Sequence, residues 1–335
     1  MHRLQESVQS VSAVYKELHH YTTASGLHGI LTSQSLWATH ISYLNDDEEH
    51  IGFFQRRLPN LLLSPISNAV NSLHKTPLGK SQIEKLGGIA KCVADLHRDL
   101  LKSITETTLK FNQPFVASFC GAVSDQTQND GLLSQWRGYG PDGGYAIAFD
   151  TQGLDEKFAR ESANFLYQHF HWGDVHYHDP AQPEKRFPEQ LKWENDLQVS
   201  IEHFVQSQNR KDLEPLILAI TPLSVLHKHA GFREENEVRI VAIPANDELR
   251  KVAIAKRITR PQKPILHLQK GGVLVPYISM FNGSTIQPSA RLPIKRIVVG
   301  PHIDKLKRKQ AVESLLTQLN LAVPVVASDI PYRGR

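Results

Sequence analysis

Arg233-Glu234-Glu235-Asn236-Glu237-Val238-Arg239-Ile240 leads a run of acids straight into an apolar strand, Val238–Ile243. Far upstream, Leu18-His19-His20-Tyr21-Thr22-Thr23 sets two histidines on a short strand that precedes a helix. Successive strand residues face opposite sides, so one histidine points inward and the other to solvent. A carboxylate opening one strand and a histidine on another, with little local reason for either, point to a pocket. Glu235 and Glu237 are two apart, which in an extended chain puts both on one side of the strand's lip. The bland alternative is a solvated strand entrance, with Arg233 or Arg239 pairing the acids.

Working outward, similar short strands recur among helices of unequal length. Thr22 or Thr23 caps a helix through about Ser33, with Leu27, Ile30 and Leu31 on one face. Leu36–Ile41 alternates as a strand, and Asn45-Asp46-Asp47-Glu48-Glu49 starts a helix. From Ser64 to Asn112 the pattern is helical, interrupted by Gly87-Gly88. Phe115–Cys120 and Tyr145–Phe149 read as strands, and Phe165–His178 as a hairpin around Trp172-Gly173-Asp174. Helices follow over Glu189–Gln208 and Leu213–His229, then short strands near Ile265–Leu268 and Val273–Ile278. The chain closes with a strand, helix and strand at Arg296–Val299, Lys305–Leu319 and Val323–Ala327. This scatter predicts an α+β fold with a mixed, largely antiparallel sheet. It also predicts one domain over residues 1–335, with a helical insertion at about 60–112.

Composition narrows the class. The 335 residues are 40% hydrophobic and 21% charged, as in ordinary globular proteins, with a net charge of +4. That charge is too weak to argue for nucleic acid alone. Cys92 and Cys120 cannot build a disulfide framework and fit a reducing cytoplasm. No apolar run reaches the length of a membrane span, so no membrane partner is expected.

Three further motifs are weighed against plainer readings. Gly138-Tyr139-Gly140-Pro141-Asp142-Gly143 matches G-x-G-x-x-G, but it follows a helical stretch and leads into a strand, the reverse of a dinucleotide fingerprint. Beside it, Arg137 is either a surface cation or a bidentate phosphate ligand, and Trp136 a packed aromatic. His169, His171, His176 and His178 form two i, i+2 pairs: either four converging metal ligands or a half-exposed hairpin.

The ordered set Leu18-His19-His20-Tyr21-Thr22, Leu36-Trp37-Ala38-Thr39, Tyr43-Leu44-Asn45-Asp46-Asp47-Glu48, Phe115–Cys120, Trp136-Arg137-Gly138-Tyr139-Gly140 with Gly144 and Phe149, and Glu235–Ile240 resembles the bacterial "domain of unknown function 2971" family. The ending, Ile297–Pro301 and Ser328–Arg333, resembles it as well. More distantly, a first-strand histidine followed by Thr and a helix, with a late Glu opening a strand, is similar to ADP-ribosyltransferases. That resemblance implies NAD as substrate, with His20 on the NAD ribose and Tyr43 or Ser118 under the nicotinamide. It implies Glu237 at the oxocarbenium-like centre, with Glu235 as the upstream acid that orients the acceptor. Tyr21, Thr22, Asn45, Trp136, Arg137 and Tyr139 complete the expected NAD-contacting set. The expected activity is ADP-ribosyl transfer to nucleic acid or protein, in a bacterial defence or toxin setting. The alternatives are a metal-dependent hydrolase or nuclease on the 169–178 histidines, and a non-catalytic nucleotide- or partner-binding module.

Overall fold

The computed structural model describes residues 11–44, 47–122, 124–139, 143–178, 188–270, 272–284, 287–288 and 291–331. The chain divides into two compact units. The first comprises residues 1–40, 115–175 and 231–335, and the second 41–114 and 176–230.

A ten-stranded sheet organises the first unit. Its strands are β1 (Glu17–Thr22), β2 (Leu36–His40), β3 (Phe115–Gly121), β4 (Tyr145–Asp150), β5 (Tyr167–Asp174), β6 (Glu237–Pro244), β7 (Ile265–Lys270), β8 (Val273–Met280), β9 (Ile294–Val299) and β10 (Val325–Ala327). The order along the sheet is β10-β9-β4-β1-β3-β2-β8-β7. β3 also pairs with β6, and β6 with β5. Only β9 and β10 are parallel, joined by the helix Lys305–Gln318, so the sheet is mixed and largely antiparallel as expected.

β3 carries three partners because its two neighbours on one edge each take a different end. β1 pairs with Cys120 and Gly121, β2 with Phe115 and Val116, and β6 runs along the other edge from Phe115 to Cys120. Residues 117–119 therefore pair with neither β1 nor β2, and the sheet opens between those strands.

Alternation divides the sheet into two chemically different faces. Leu18, Phe119, Ile147, Ile240 and Ile297 belong to one apolar cluster with Leu27, Ile30 and Leu31 of the helix Ala24–Ser33. Leu154, Val312 and Leu316 join it from the helices Thr151–Asn164 and Lys305–Gln318. Each such fully buried side chain contributes about 1.5–3 kcal/mol. Thr23 starts the first of these helices by accepting from the Gly26 amide, which settles the choice of cap. The opposite face carries Glu17, His19, Cys120, Glu237, Arg239 and Arg296.

The second unit is mainly helical. The helices Leu58–His74, Pro77–Lys85, Ile89–Phe111, Pro188–Ser207 and Glu214–Val225 contain its core, in which Leu62, Ile66, Ile104, Leu197 and Ile220 are fully or nearly buried. Gly87 and Gly88 break the run between helices, at φ 101° and 92°, backbone angles that glycine adopts without Cβ strain. The expected helical insertion thus lies in a unit that also takes residues 176–230.

Two local expectations are corrected. Residues 167–174 form one continuous strand rather than a hairpin around Trp172-Gly173-Asp174, because Phe170 and Trp172 stay in register with Ala242 and Ile240. His227–His229 is not the end of a helix: it leaves the helix after Val225 and pairs in parallel with His176–His178. Among the described residues no helix is long and apolar enough to cross a membrane.

Candidate polar face of the sheet

Register decides which side chains meet. His19 lies opposite Cys120 and Cys120 opposite Glu237, so β1, β3 and β6 contribute one cross-strand row. On its other side His19 pairs with Ala148, which pairs with Arg296. Directly opposite residues have Cβ atoms about 4.5–5.5 Å apart, so these side chains are neighbours.

Four ionisable groups of this face are shielded from water, whereas Arg296 is partly exposed. Glu17, His19, Glu237 and Arg239 are 2%, 1%, 5% and 4% exposed, a costly arrangement for charge unless each group is paired. His19 Nε2 donates to Glu17 Oε1 at 2.7 Å. Arg296 Nη1 donates to Glu17 Oε2 at 3.1 Å, and Lys295 Nζ lies 3.6 Å from the same oxygen. Burial acts to raise the Glu17 carboxyl, but the hydrogen bond and charge of His19, with Arg296 and Lys295, outweigh it. Its pKa lies below the ordinary 4.5. At the other end, Arg239 clasps Glu237 with two bonds, Nε to Oε1 at 2.7 Å and Nη2 to Oε2 at 3.0 Å. The planar guanidinium fixes the carboxylate's orientation as a point charge cannot.

His20 and Glu237 do not share a site. His20 pairs with Ile147, a member of the apolar cluster, while Glu237 shares its row with His19. A one-residue step along a strand reverses the face, so His20 and Glu237 lie on opposite faces of the sheet, and it is His19 that shares the face of Glu237, with Cys120 between them. His20 has another task. Its Nδ1 donates to the Ser118 carbonyl at 2.9 Å, within the stretch of β3 that neither β1 nor β2 pairs. Burial lowers its pKa, against the smaller upward pull of that carbonyl.

Glu235 and Glu237 do not form an extended pair. Glu235 ends the 3₁₀ turn Ala230–Glu235, and Asn236 is left-handed at φ 43°. The turn exists because Asn236 tolerates that backbone and its carbonyl accepts from the Gly121 amide at 2.8 Å. Tyr21 shares the polar face but packs its ring edge-on to Trp136 at 4.8 Å, and its hydroxyl accepts from the Leu132 amide. Burial raises its pKa. Trp136 is itself buried and donates to the Asp130 carbonyl, so both aromatics are packing elements. Thr22 Oγ1 lies over Gly26, Ser118 pairs with Arg239, and Arg137 is exposed. Tyr43 is exposed in the second unit. Asn45, the Tyr139 side chain and the turn 140–142 lie outside the described residues.

Of the two readings of the four histidines, the converging metal set is not found among the described residues. His169 and His171 share the polar face of β5, their rings 5.9 Å apart, whereas His176 belongs to a strand of the other unit. The His178 side chain lies outside the described residues. Among the described residues no three His, Cys, Asp or Glu side chains are grouped to hold a metal.

Residues 135–240 match the family described as "Protein of unknown function (DUF2971)". The family read from the sequence is borne out over these residues. No curated protein and no solved structure matches the chain. The DUF2971 match runs from the helix bearing Trp136 to the middle of β6, and so includes Glu237 and Arg239.

Glu17 and Arg296 were absent from the expected site, Arg239 entered only in the plainer reading as a partner of the acids, a pairing the structure shows, and His19 was assigned no role. A signal for three of these was present. Glu17, His19 and Tyr21 alternate along β1, and Glu237 and Arg239 along β6, so polar groups recur on one face of each strand. Arg296 carried no comparable signal, because its partner Glu17 is 279 positions away.

Proposed function

We propose that this chain cleaves the nicotinamide–ribose bond of NAD and passes the ADP-ribosyl group to an acceptor in nucleic acid or protein. Glu237 is the carboxylate at the reacting sugar, and His19 replaces His20 as the first-strand histidine. The observation that supports this reading is the row His19–Cys120–Glu237 across three adjacent strands. Breaking the N-glycosidic bond leaves its electrons on nicotinamide and positive charge on the ribose. A carboxylate already oriented and shielded from water stabilises that charge without reorganising at the moment of reaction. Arg239 supplies the orientation, and Glu17 fixes the His19 ring on the same face.

A second reading rests on the same face. Cys120 stands opposite His19, and His19 bonds Glu17, the order of a thiol nucleophile, its base and an orienting acid. Two variants separate the readings. Purified protein is incubated with NAD and released nicotinamide is quantified. On the first reading Glu237→Gln lowers release by about a hundredfold or more, while Cys120→Ala retains it. No release from the wild-type protein removes the NAD reading. Release that survives Glu237→Gln but not Cys120→Ala replaces it with the thiol reading.

A further inference from the structure

From Leu249 to Ile303 the sequence contains no Asp or Glu, while seven Lys and Arg fall between positions 250 and 270 and three more between 291 and 296. Because the whole chain is only +4, this stretch makes the charge distribution strongly asymmetric. It begins inside the helix Asp247–Ala255 and continues into the segment that follows it. The helix begins at Asn246, whose side chain accepts from the Leu249 amide, and both of its acids, Asp247 and Glu248, lie in the first turn. There they favour the positive end of the helix dipole, and beyond them the surface is purely cationic.

Arg250, Lys251, Lys256, Arg257 and Arg260 are all exposed. Arg250 and Lys251 make only open surface pairs with Asp247 and Glu248, at 3.5 and 3.2 Å, of the kind that adds little. Among these cations sit exposed aliphatic side chains. Ile254 is 76% exposed, Val252 46% and Ile258 37%. The inner side is anchored by Leu249 and Ala253, which pack with Leu166 and Ala245. One side of the helix therefore belongs to the fold, and the other presents isoleucine surrounded by positive charge.

We propose that this surface docks on an anionic phospholipid bilayer, with the cations at the headgroups and Ile254 inserted between them. A nucleic-acid backbone would use the cations but gain nothing from an exposed isoleucine, whereas a membrane interface rewards both. The contact needs no spanning segment, so it revises the expectation of no membrane partner, which rested only on the lack of one.

Full-length protein is sedimented with phosphatidylcholine vesicles, with and without phosphatidylserine, at physiological salt. Partition onto the phosphatidylserine vesicles is expected, with little onto phosphatidylcholine alone. Each basic residue near the surface is worth about fivefold in partition, so Lys256→Gln with Arg257→Gln weakens it about 25-fold. Ile254→Ser weakens it independently, with unchanged thermal melting because the side chain is exposed. Absence of partition by the wild-type protein overturns the proposal. So does Ile254→Ser binding as tightly as wild type, or DNA competing the protein off vesicles with no loss of DNA affinity in Ile254→Ser. None of these outcomes depends on NAD chemistry.

Discussion

Replacing Arg239 with alanine takes both guanidinium bonds from the Glu237 carboxylate and leaves that acid about 5% exposed. An ion pair at this depth differs from a surface pair in what its loss costs. Exposed pairs are worth about 0–1 kcal/mol, whereas removing one member of a buried pair costs about 3–5 kcal/mol because the other charge stays stranded. At about 2–4 °C per kcal/mol for a unit of this size, Arg239→Ala should melt roughly 6–20 °C lower than wild type. The double variant Glu237→Gln, Arg239→Met removes both charges and should recover most of that loss. Calorimetry on wild type, Glu237→Gln, Arg239→Met and the double variant closes the cycle and reads the coupling directly. A loss below about 1 kcal/mol for Arg239→Ala would refute the reasoning, since it would place the pair in water. Glu237 would then not be the pre-oriented, dehydrated carboxylate that the proposed chemistry uses.

Other outcomes follow from the same geometry. The Glu17 carboxyl titrates lower in the folded than in the unfolded chain, so its stabilisation is complete above its ordinary pKa of 4.5 and is lost as pH falls through the lower folded value. Melting curves of Glu17→Gln should therefore be less stable than wild type near neutrality and flatter in acid. Burial, and the neighbouring His169, lower His171 from 6.5 to about 4, so the unfolded chain binds the extra proton first. Stability should decline as pH drops from about 6.5 to 4, by up to about 3 kcal/mol, and His171→Asn should remove that part of the slope. A Cβ on Gly300 would stand 1.6 Å from the Gly143 carbonyl oxygen, where neither backbone yields easily. Gly300→Ala should lower melting by more than the ~1 kcal/mol of a typical substitution, and an unchanged melting temperature would contradict the close approach.

Much of the architecture was legible in local pattern. The helices Ala24–Ser33 and Lys305–Gln318, the Gly87-Gly88 break, and strands β3 and β6 follow from spacing and turn chemistry that neighbouring residues carry themselves. The misread hairpin shows where such reasoning fails. Trp172-Gly173-Asp174 has turn-like composition, yet Gly173 lies mid-register opposite Arg239, with His171 Nε2 2.9 Å from where a Cβ would stand. The glycine makes room for an imidazole rather than for a bend.

The sequence by itself determined that His19 and His20 face opposite ways and that Glu237 opens a strand, because strand alternation is a property of the local backbone. Which histidine shares a face with Glu237 was decided only by tertiary structure. The answer depends on β3 lying between β1 and β6 with Cys120 opposite both His19 and Glu237. No local pattern encodes that register. It is set by long-range burial of the apolar face, where a one-residue slip would turn Leu18 among the charged groups and put polar side chains into the apolar cluster in its place.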